Sequence, residues 1–259
     1  MNGVIDISLI SMITVFLMLA FPIILFIINK INIFKEFIIA ILRMTIQLVV
    51  IGFLLQYLFK LNFLWLTTIW FLLMIFVADY NVIKRTKINI KGFLFINYLS
   101  IFIGVTIILG LILIVIIKPK PFWDAKYLIP LAGMLTGNSM NANSLAIERF
   151  YKTILNNKKE YYSYLSLGAT IEEASHKFIV ESYKASLLPT IATMTTVGIV
   201  SLPGMMTGQI LGGSTPLVAI KYQIMIMIAI FTVNSISSLL ILLFSRKMLI
   251  SKNGIIIEK

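Results

Sequence analysis

Cysteine is absent from this chain of 259 residues, histidine occurs once, at His176, and only 10 residues are acidic. Without cysteine there is no disulfide framework and no thiolate metal site, and one histidine cannot form a histidine cluster. Charged residues make up 12% of the chain, about half the share of an average soluble domain, whereas 59% of the residues are hydrophobic. The composition therefore predicts a polytopic membrane protein, and no tight metal site is readable from it.

Sequence motifs for common enzymatic chemistry are also missing. No glycine precedes a lysine, so there is no phosphate-binding loop of the form GxxxxGK[ST], and neither HExxH nor GxSxG occurs. We therefore expect no catalytic residue and no cofactor bound by this chain. Asp6, Asp79 and Asp124 fall at predicted membrane edges. Because proton- or sodium-coupled carriers usually need buried acids, a secondary carrier or channel for a small solute or chelated metal is the disfavoured alternative function.

Apolar stretches long enough to cross a bilayer, which takes about 20 residues, recur along the chain. They predict an all-α fold of about seven transmembrane helices in a single domain over residues 1–259. The predicted spans are 5–28, 37–59, 61–78, 93–117, 126–147, 187–202 and 217–244. The fifth and sixth are weaker, because they contain many small and polar residues.

The basic residues predict the orientation. Most of the 22 lysines and arginines fall in loops on one side of the predicted spans, and such loops are usually cytoplasmic. An example is the loop with Lys84, Arg85, Lys87 and Lys91. The N-terminus is therefore predicted outside and the C-terminus inside. The positive charge orients the chain in the lipid bilayer and needs no nucleic-acid partner.

The one substantial aqueous segment is 148–186, which is too short for a catalytic domain with its own core. Within it, Thr170 and Glu173 have the spacing of a capping box, and Ile171, Ala174 and Phe178 form one apolar stripe. Lys177 can pair with Glu173 and with Glu181 at helical spacing. We predict a short amphipathic cytoplasmic helix leading into the sixth span. An interfacial helix resting on lipid is the alternative.

Several motifs together resemble one family. They are "RMTIQL" (43–48), "GNSMN" (137–141), "LGAT" (167–170), "TVGIVSLPGMMTGQILGG" (197–213) and "KYQI" (221–224). They resemble the iron-export ABC permeases of bacteria, whose plant relatives are linked to aluminium tolerance. The resemblance implies a permease in a bacterial cell membrane that exports iron or relieves metal stress, acting as a homodimer with a separate cytoplasmic ABC ATP-binding subunit that binds ATP and Mg²⁺. It also implies that a coupling helix contacts this subunit, through Gly168, Ala169, Thr170, Glu173 and Ala174.

Polar residues inside the spans are candidates for a substrate pathway. Arg43 and Gln47 lie one turn apart in the second span, where they either line an inner vestibule or, for Arg43, snorkel to the headgroups. An arginine there would favour an anionic or chelated substrate over a bare metal cation. In the fifth span, Asn138 and Asn141 give one polar face, which serves either as packing contact or as pathway lining.

The segment "PGMMTGQILGG" (203–213) repeats the earlier "GMLTGN" (133–138). Gly133 and Gly137, like Gly204, Gly208 and Gly212, keep a four-residue spacing that permits close helix packing. The short sixth span and the flanking prolines favour a buried gate or pathway wall, lined by Met205, Met206, Thr207 and Gln209. A plain external loop is the alternative. Methionine sulfur suits Cu(I) better than iron, so the methionines are predicted to pack rather than to bind metal.

Overall fold

The computed structural model describes residues 5–86, 92–251 and 253–257, and the regular structure in these ranges is helical apart from isolated β-bridges. Lys87 and Lys91 lie outside the described residues. The helices are α1 (Leu9–Leu17), α2 (Ala20–Ile28), α3 (Phe34–Leu61), α4 (Leu64–Thr86), α5 (Phe93–Leu111, continued by a π-helical segment Ile112–Ile117), α6 (Ala125–Asn156), α7 (Lys158–Ser166), α8 (Ile171–Thr196), α9 (Gly204–Leu211) and α10 (Pro216–Leu249).

Five helical stretches of the described chain are long and apolar enough to cross a membrane. They are α1 with α2, α3, α4, α5 with its π-helical end, and α10. The predicted polytopic all-α fold is thereby confirmed. The fifth and sixth predicted spans correspond to α6 and α8, which are longer than a bilayer requires but more polar. The number of crossings and the orientation stay predictions.

The central bundle consists of α4, α5, α6 and α10. Its buried core includes Ile75, Val105, Leu135 and Ile226, one from each helix. A second core lies towards the predicted inner end, where α7 and α8 join the bundle through Tyr161 and Phe178. A polar cavity lies beside this bundle, where α8 packs against α6 and α10.

The first three helices lie at the periphery. No residue of α1 or α2 is buried within this chain. In α3 the buried residue is Leu58, close to the C-terminal end, where it packs against Ala125 and Ile129 of α6. Most of α3 therefore faces away from the bundle.

The cytoplasmic helix leads into the sixth predicted span without a break, as one helix, α8, from Ile171 to Thr196 that contains Pro189. The helix ends before residue 202, where the predicted span ends. Pro189 removes one helical hydrogen bond, yet the helix continues past it to Thr196. The coupling segment and the membrane segment are thus two halves of one helix of 26 residues, about 39 Å long.

An interruption, residues 197–203, separates α8 from α9. Gly198 has a φ of +90°, which favours glycine, and its N–H donates to the carbonyl of Ser201 at 2.9 Å. α8 and α10 meet where Thr190 contacts Asn234. From this contact, α8 extends about two more turns to its C-terminal end at Thr196, whereas α10 extends about five turns in the same direction, back to its N-terminal end at Pro216. α9 packs beside this remaining part of α10. The segment 203–216 therefore contains a helix against a spanning helix, not a free loop.

Candidate functional site: a polar cavity between four helices

A cavity of about 410 Å³ lies between α4, α6, α8 and α10. Much of its wall is polar although it adjoins the membrane bundle. The polar side chains that line it are Arg85 from α4, Asn138, Asn141, Ser144 and Glu148 from α6, Ser186, Thr190 and Thr193 from α8, and Asn234 from α10. Polar residues at such positions mark candidate substrate paths, and pockets of this volume accept small organic ligands.

Arg85 stands at the predicted inner end of the cavity, in the last turn of α4. Its Nη1 donates a hydrogen bond to Oδ1 of Asn141 at 2.7 Å. The nearest carboxylate-bearing residue of the lining, Glu148, instead pairs with Lys152 at 2.5 Å. The guanidinium is thus held across the cavity wall by a neutral acceptor and keeps further N–H donors for a ligand.

Asn234 forms the deepest polar part of the wall. Its Nδ2 donates to Oγ1 of Thr190 at 3.0 Å, which connects α10 to α8. Its Oδ1 is buried and has no hydrogen-bond partner in the described part of the chain. A buried carbonyl oxygen without a donor is costly, so this atom is an acceptor that the described chain leaves unpaired.

Behind the cavity, a buried hydrogen-bonded chain connects four helices. Nδ2 of Asn97 donates to Oδ1 of Asp79 at 2.6 Å, Nδ2 of Asn143 donates to Oδ1 of Asn97 at 3.0 Å, and Ser238 donates to Asn143 at 3.3 Å. Asp79 is buried between helices, because α4 continues beyond the predicted end at residue 78; its position at a membrane edge stays a prediction. The absence of buried acids therefore no longer disfavours a coupled carrier.

The structure unites some of the predicted pathway residues and separates others. Asn138 and Asn141 both line the cavity. Arg43 and Gln47 do not reach it: they are exposed on α3 and border a shallow groove formed by residues of that helix alone. No vestibule shared with another helix surrounds them in the described chain, because α3 touches the bundle mainly through its other end.

The side chains of α9 are separate from the cavity. Met206 is buried and Met205 packs against the central core, which agrees with packing rather than metal binding. Thr207 donates to the carbonyl of Pro203 at 3.2 Å. The Oε1 of Gln209 is buried without a partner in the described chain.

Most of the repeated glycines have no close neighbour within this protomer, and their packing against a second copy stays a prediction. A methyl group added at Gly137, Gly204 or Gly208 would meet no atom within 4 Å, because these positions face away from neighbouring helices of the same protomer. At Gly133 it would lie 3.1 Å from the end of the Met74 side chain, and at Gly212 it would meet only backbone carbonyls of α9.

The close approach that sequence reasoning missed is at Gly104. A methyl group there would lie 3.4 Å from the carbonyl oxygen of Val233 and 3.5 Å from Cβ of Ser237. At Gly104, α5 therefore packs directly against α10. Gly104 is not part of a four-residue glycine repeat, so the sequence pattern did not indicate this contact.

The predicted capping box is confirmed at the start of α8. Oγ1 of Thr170 accepts from the N–H of Glu173 at 3.2 Å, and the Glu173 carboxylate accepts from the N–H of Thr170 at 2.8 Å. These hydrogen bonds lower the pKa of Glu173 below its ordinary value. Gly168 has a φ of +90°, so the chain turns sharply before the helix.

The residues predicted to form the coupling surface differ in exposure, and their contact with a partner stays a prediction. Gly168, Thr170 and Glu173 are exposed and Ala169 is half-buried, but Ala174 is 1% exposed and packs in the inner core. Ala174 belongs to the buried stripe of this helix. The large apolar residue at this tip is Leu167, which is 85% exposed and was not singled out from the sequence.

The predicted pairing of Lys177 is also different. Its Nζ bonds to Oε1 of Glu160 on α7 at 2.6 Å, so the contact joins two helices instead of two turns of one helix. This hydrogen bond and the charge of Glu160 raise the pKa of Lys177. Arg246 of α10 pairs with Glu172 of α8. Together these pairs fix the start of α8 to α7 and α10.

Helices, burial and cavity together define the class of protein: a multi-pass α-helical membrane protein with a polar, half-open cavity beside its central bundle. The sequence profile described as "Uncharacterised protein family (UPF0014)" matches residues 9–250. The chain belongs to this UPF0014 family.

Individual relatives agree with this assignment. A UPF0014 membrane protein of Synechocystis is 40% identical over 199 residues, covering 76% of each chain. The "Probable iron export permease protein FetB" of Escherichia coli is 36% identical, covering 82% of this chain and 80% of the relative. "Protein ALUMINUM SENSITIVE 3" of Arabidopsis thaliana is 35% identical, covering 78% and 74%. No solved structure matches the chain.

Proposed function

We propose that this chain is the membrane-spanning permease of an ATP-driven (ABC) exporter in a bacterial cell membrane, with iron or a metal-related substrate as cargo. The family and the name of the Escherichia coli relative support this proposal. The chain itself binds no cofactor in this scheme. ATP and Mg²⁺ bind to a separate cytoplasmic ABC ATP-binding subunit, and two permeases assemble with two such subunits.

The observation that carries the proposal is the continuity of α8. Its exposed first turn, with Thr170 and Glu173, and its cavity-lining residues Thr190 and Thr193 belong to one helix. A displacement of the first turn by a partner is therefore transmitted along the helix to the cavity wall, over about 30 Å. Without this helix, ATP hydrolysis on another chain would have no direct mechanical route to the cavity.

The docking surface for the ATP-binding subunit is the tip formed by Leu167, Gly168, Thr170 and Glu173. It offers an exposed apolar side chain beside an exposed carboxylate. Next to it, a shallow groove is bordered by Lys159, Tyr162 and Leu167. An apolar residue surrounded by polar groups is typical of a protein–protein contact.

The pairing of two permeases is supported by the interruption at 197–203. Irregular backbone at membrane depth is tolerated only when protein covers it or when it lines a cavity. Here Ile199 and Val200 are highly exposed in the single protomer. A second copy that covers this segment would shield its backbone from lipid.

The route out of the cavity runs, in this proposal, along α6, α9 and α10. Thr136, Gln209 and Gln223 each have a buried oxygen without a partner in the described residues. All three come from the part of the molecule beyond the cavity, away from Arg85. Unpartnered oxygens of this kind can exchange hydrogen bonds with a passing hydrated or chelated ion.

The test is co-expression with a candidate ABC ATP-binding subunit from the same organism, followed by iron uptake into inside-out vesicles. We expect uptake that requires ATP. Leu167→Asp should abolish co-purification of the two subunits and uptake, while Leu167→Met should preserve both. Normal complex formation by Leu167→Asp would contradict the coupling surface.

A secondary carrier or channel is the second candidate, and the buried Asp79 is the observation in its favour. It predicts that the purified chain alone transports under an ion gradient and that Asp79→Asn abolishes this activity. Gradient-driven iron flux in vesicles without any ATP-binding subunit would replace the exporter proposal with this one.

A further inference from the structure

The chemistry of the cavity limits what it can hold. Its lining offers amide and hydroxyl groups, one guanidinium from Arg85 and one carboxylate from Glu148. No group of three or more His, Cys, Asp or Glu side chains suited to a metal ion occurs among the described residues. Bare transition-metal ions are bound by imidazole, thiolate or several carboxylates, so this wall is poorly suited to a naked cation.

The charge of the cavity is positive where a ligand would enter. Arg85 is in no ion pair in the described ranges, and its hydrogen bond goes to the neutral Asn141. The carboxylate of Glu148 pairs with Lys152 in an exposed i,i+4 contact. A guanidinium with free N–H groups binds a carboxylate through two parallel hydrogen bonds and repels a cation.

Asn234 requires a hydrogen-bond donor on the ligand. Its side chain is 2% exposed, lines the cavity, and has an Oδ1 without a partner. Because its Nδ2 is engaged by Thr190, the free atom is the acceptor. A ligand that satisfies it must carry an O–H or N–H group together with the negative charge that faces Arg85.

We propose that the cavity binds its cargo as an anionic chelate, a metal ion wrapped by a hydroxycarboxylate, and not as a bare ion. This inference rests on the proposed metal export and specifies the form of the cargo. A carboxylate of the chelate bonds to Arg85, and a hydroxyl or metal-bound water donates to Oδ1 of Asn234. The cavity of about 410 Å³ has room for such a complex, whereas a single water occupies about 30 Å³.

The experiment measures equilibrium binding to the full chain in lipid nanodiscs. The probes are radioactive Fe(III)–citrate, metal-free citrate, and Fe(II) without chelator under anoxic conditions. We expect Fe(III)–citrate to bind at least about tenfold more tightly than Fe(II) without chelator. Tighter binding of metal-free citrate than of Fe(III)–citrate would show that the site takes the free acid and would overturn the inference. Arg85→Gln should weaken chelate binding at least about tenfold, and Arg85→Lys should lie between the wild type and Arg85→Gln.

The matched control is Lys84→Gln, which removes the same charge from the neighbouring residue of α4 without touching the cavity lining. It should bind the chelate like the wild type. The effect on the affinity for bare iron distinguishes chelate binding from bare-ion binding. Removal of Arg85 should leave the affinity for Fe(II) unchanged or increase it. If Arg85→Gln binds Fe(III)–citrate normally, or if bare Fe(II) binds the wild type as tightly as the chelate, the inference is overturned.

Failure of this inference and failure of the proposed function give different results. If iron uptake depends on ATP but chelate binding does not depend on Arg85, the exporter proposal is supported and the chelate site is contradicted. If chelate binding depends on Arg85 but uptake does not depend on ATP, the chelate site is supported and the exporter proposal is contradicted. Variants are compared only after they elute as the wild type does in size-exclusion chromatography, so that misfolding is not read as lost binding.

Discussion

Nδ2 of Asn97 donates a hydrogen bond to the buried carboxylate of Asp79 at 2.6 Å, and this contact joins α5 to α4. The same asparagine accepts from Asn143 of α6. A carboxylate inside a helical bundle needs such donors, because an unpartnered buried charge is strongly destabilising.

Asn97→Ala should therefore lower the stability of the bundle by about 3 kcal/mol. The loss combines the missing donor to Asp79 with the missing acceptor for Asn143. Asp79→Asn, which removes the charge and keeps an acceptor oxygen, should cost less. The measurement is thermal unfolding in one fixed detergent. A loss for Asp79→Asn as large as that for Asn97→Ala would contradict the assignment of this cost to an unpaired buried carboxylate.

The capping box should make the first turn of α8 sensitive to acid. The folded pKa of Glu173 is lowered from its ordinary 4.5 by the two groups of Thr170. The stabilisation is therefore complete above about pH 4.5 and is lost as the pH falls through the lower folded value. Amide hydrogen exchange of residues 171–175, corrected for intrinsic rates, should accelerate over that range. In Glu173→Gln this acid-dependent step should disappear.

The C-terminal segment should detach when its anchor is removed. Oη of the buried Tyr161 donates to the carbonyl of Gly254 at 3.1 Å. Tyr161→Phe leaves this carbonyl without its donor, at a cost of about 1–3 kcal/mol. Digestion with carboxypeptidase should then remove the last residues faster than in the wild type. Tyr164→Phe, at an exposed position of the same helix, is the control and should not change the rate.

Two glycine substitutions should affect the unfolding temperature differently. Gly104→Leu places side-chain atoms against Val233 and Ser237, where a single methyl group already makes contact. We expect α5 and α10 to separate and the unfolding temperature to fall clearly, because overpacking costs about 1–3 kcal/mol or more. Gly208→Leu meets open space and should leave it unchanged in the isolated protomer. Identical effects would show that the contact at Gly104 is not close.

A second copy over the interruption can be detected by cross-linking, since the natural chain contains no cysteine. Ile199→Cys should form dimers with a bismaleimide linker of about 10 Å in native membranes. Ile107→Cys, an exposed position on α5, should not. If neither variant is cross-linked although a monofunctional maleimide labels both thiols, the interruption does not lie in the interface between two permeases.

Sequence periodicity and length were sufficient for the spans and for the capping box. The apolar runs marked α3, α4, α5 and α10 because a membrane requires such runs, and Thr170 with Glu173 marked a helix start because the two side chains act locally. These features depend on neighbouring residues in the chain, and the structure agrees with them.

The cavity could be predicted only in part, because it depends on how helices meet. Asn138 and Asn141 were found from a polar face on one helix. Arg85 was counted only as an orienting charge, and Asn234 lay unnoticed in a strongly apolar stretch. The signal available for Asn234 was one amide among the small hydroxyl residues of α10, and its role becomes visible only when Thr190 of another helix lies 3.0 Å away.

The peripheral position of α1, α2 and α3 has a consequence for biogenesis. These helices emerge from the ribosome first, yet α3 attaches to the bundle chiefly through Leu58, against residues synthesised much later. They must therefore reside in the lipid as independently stable helices while the rest of the chain is inserted. Folding of the bundle around α4, α5, α6 and α10 then waits for the last helix, since α10 supplies a wall of both main cores. Truncation before α10 would leave an inserted but unassembled chain, a natural substrate for membrane quality control.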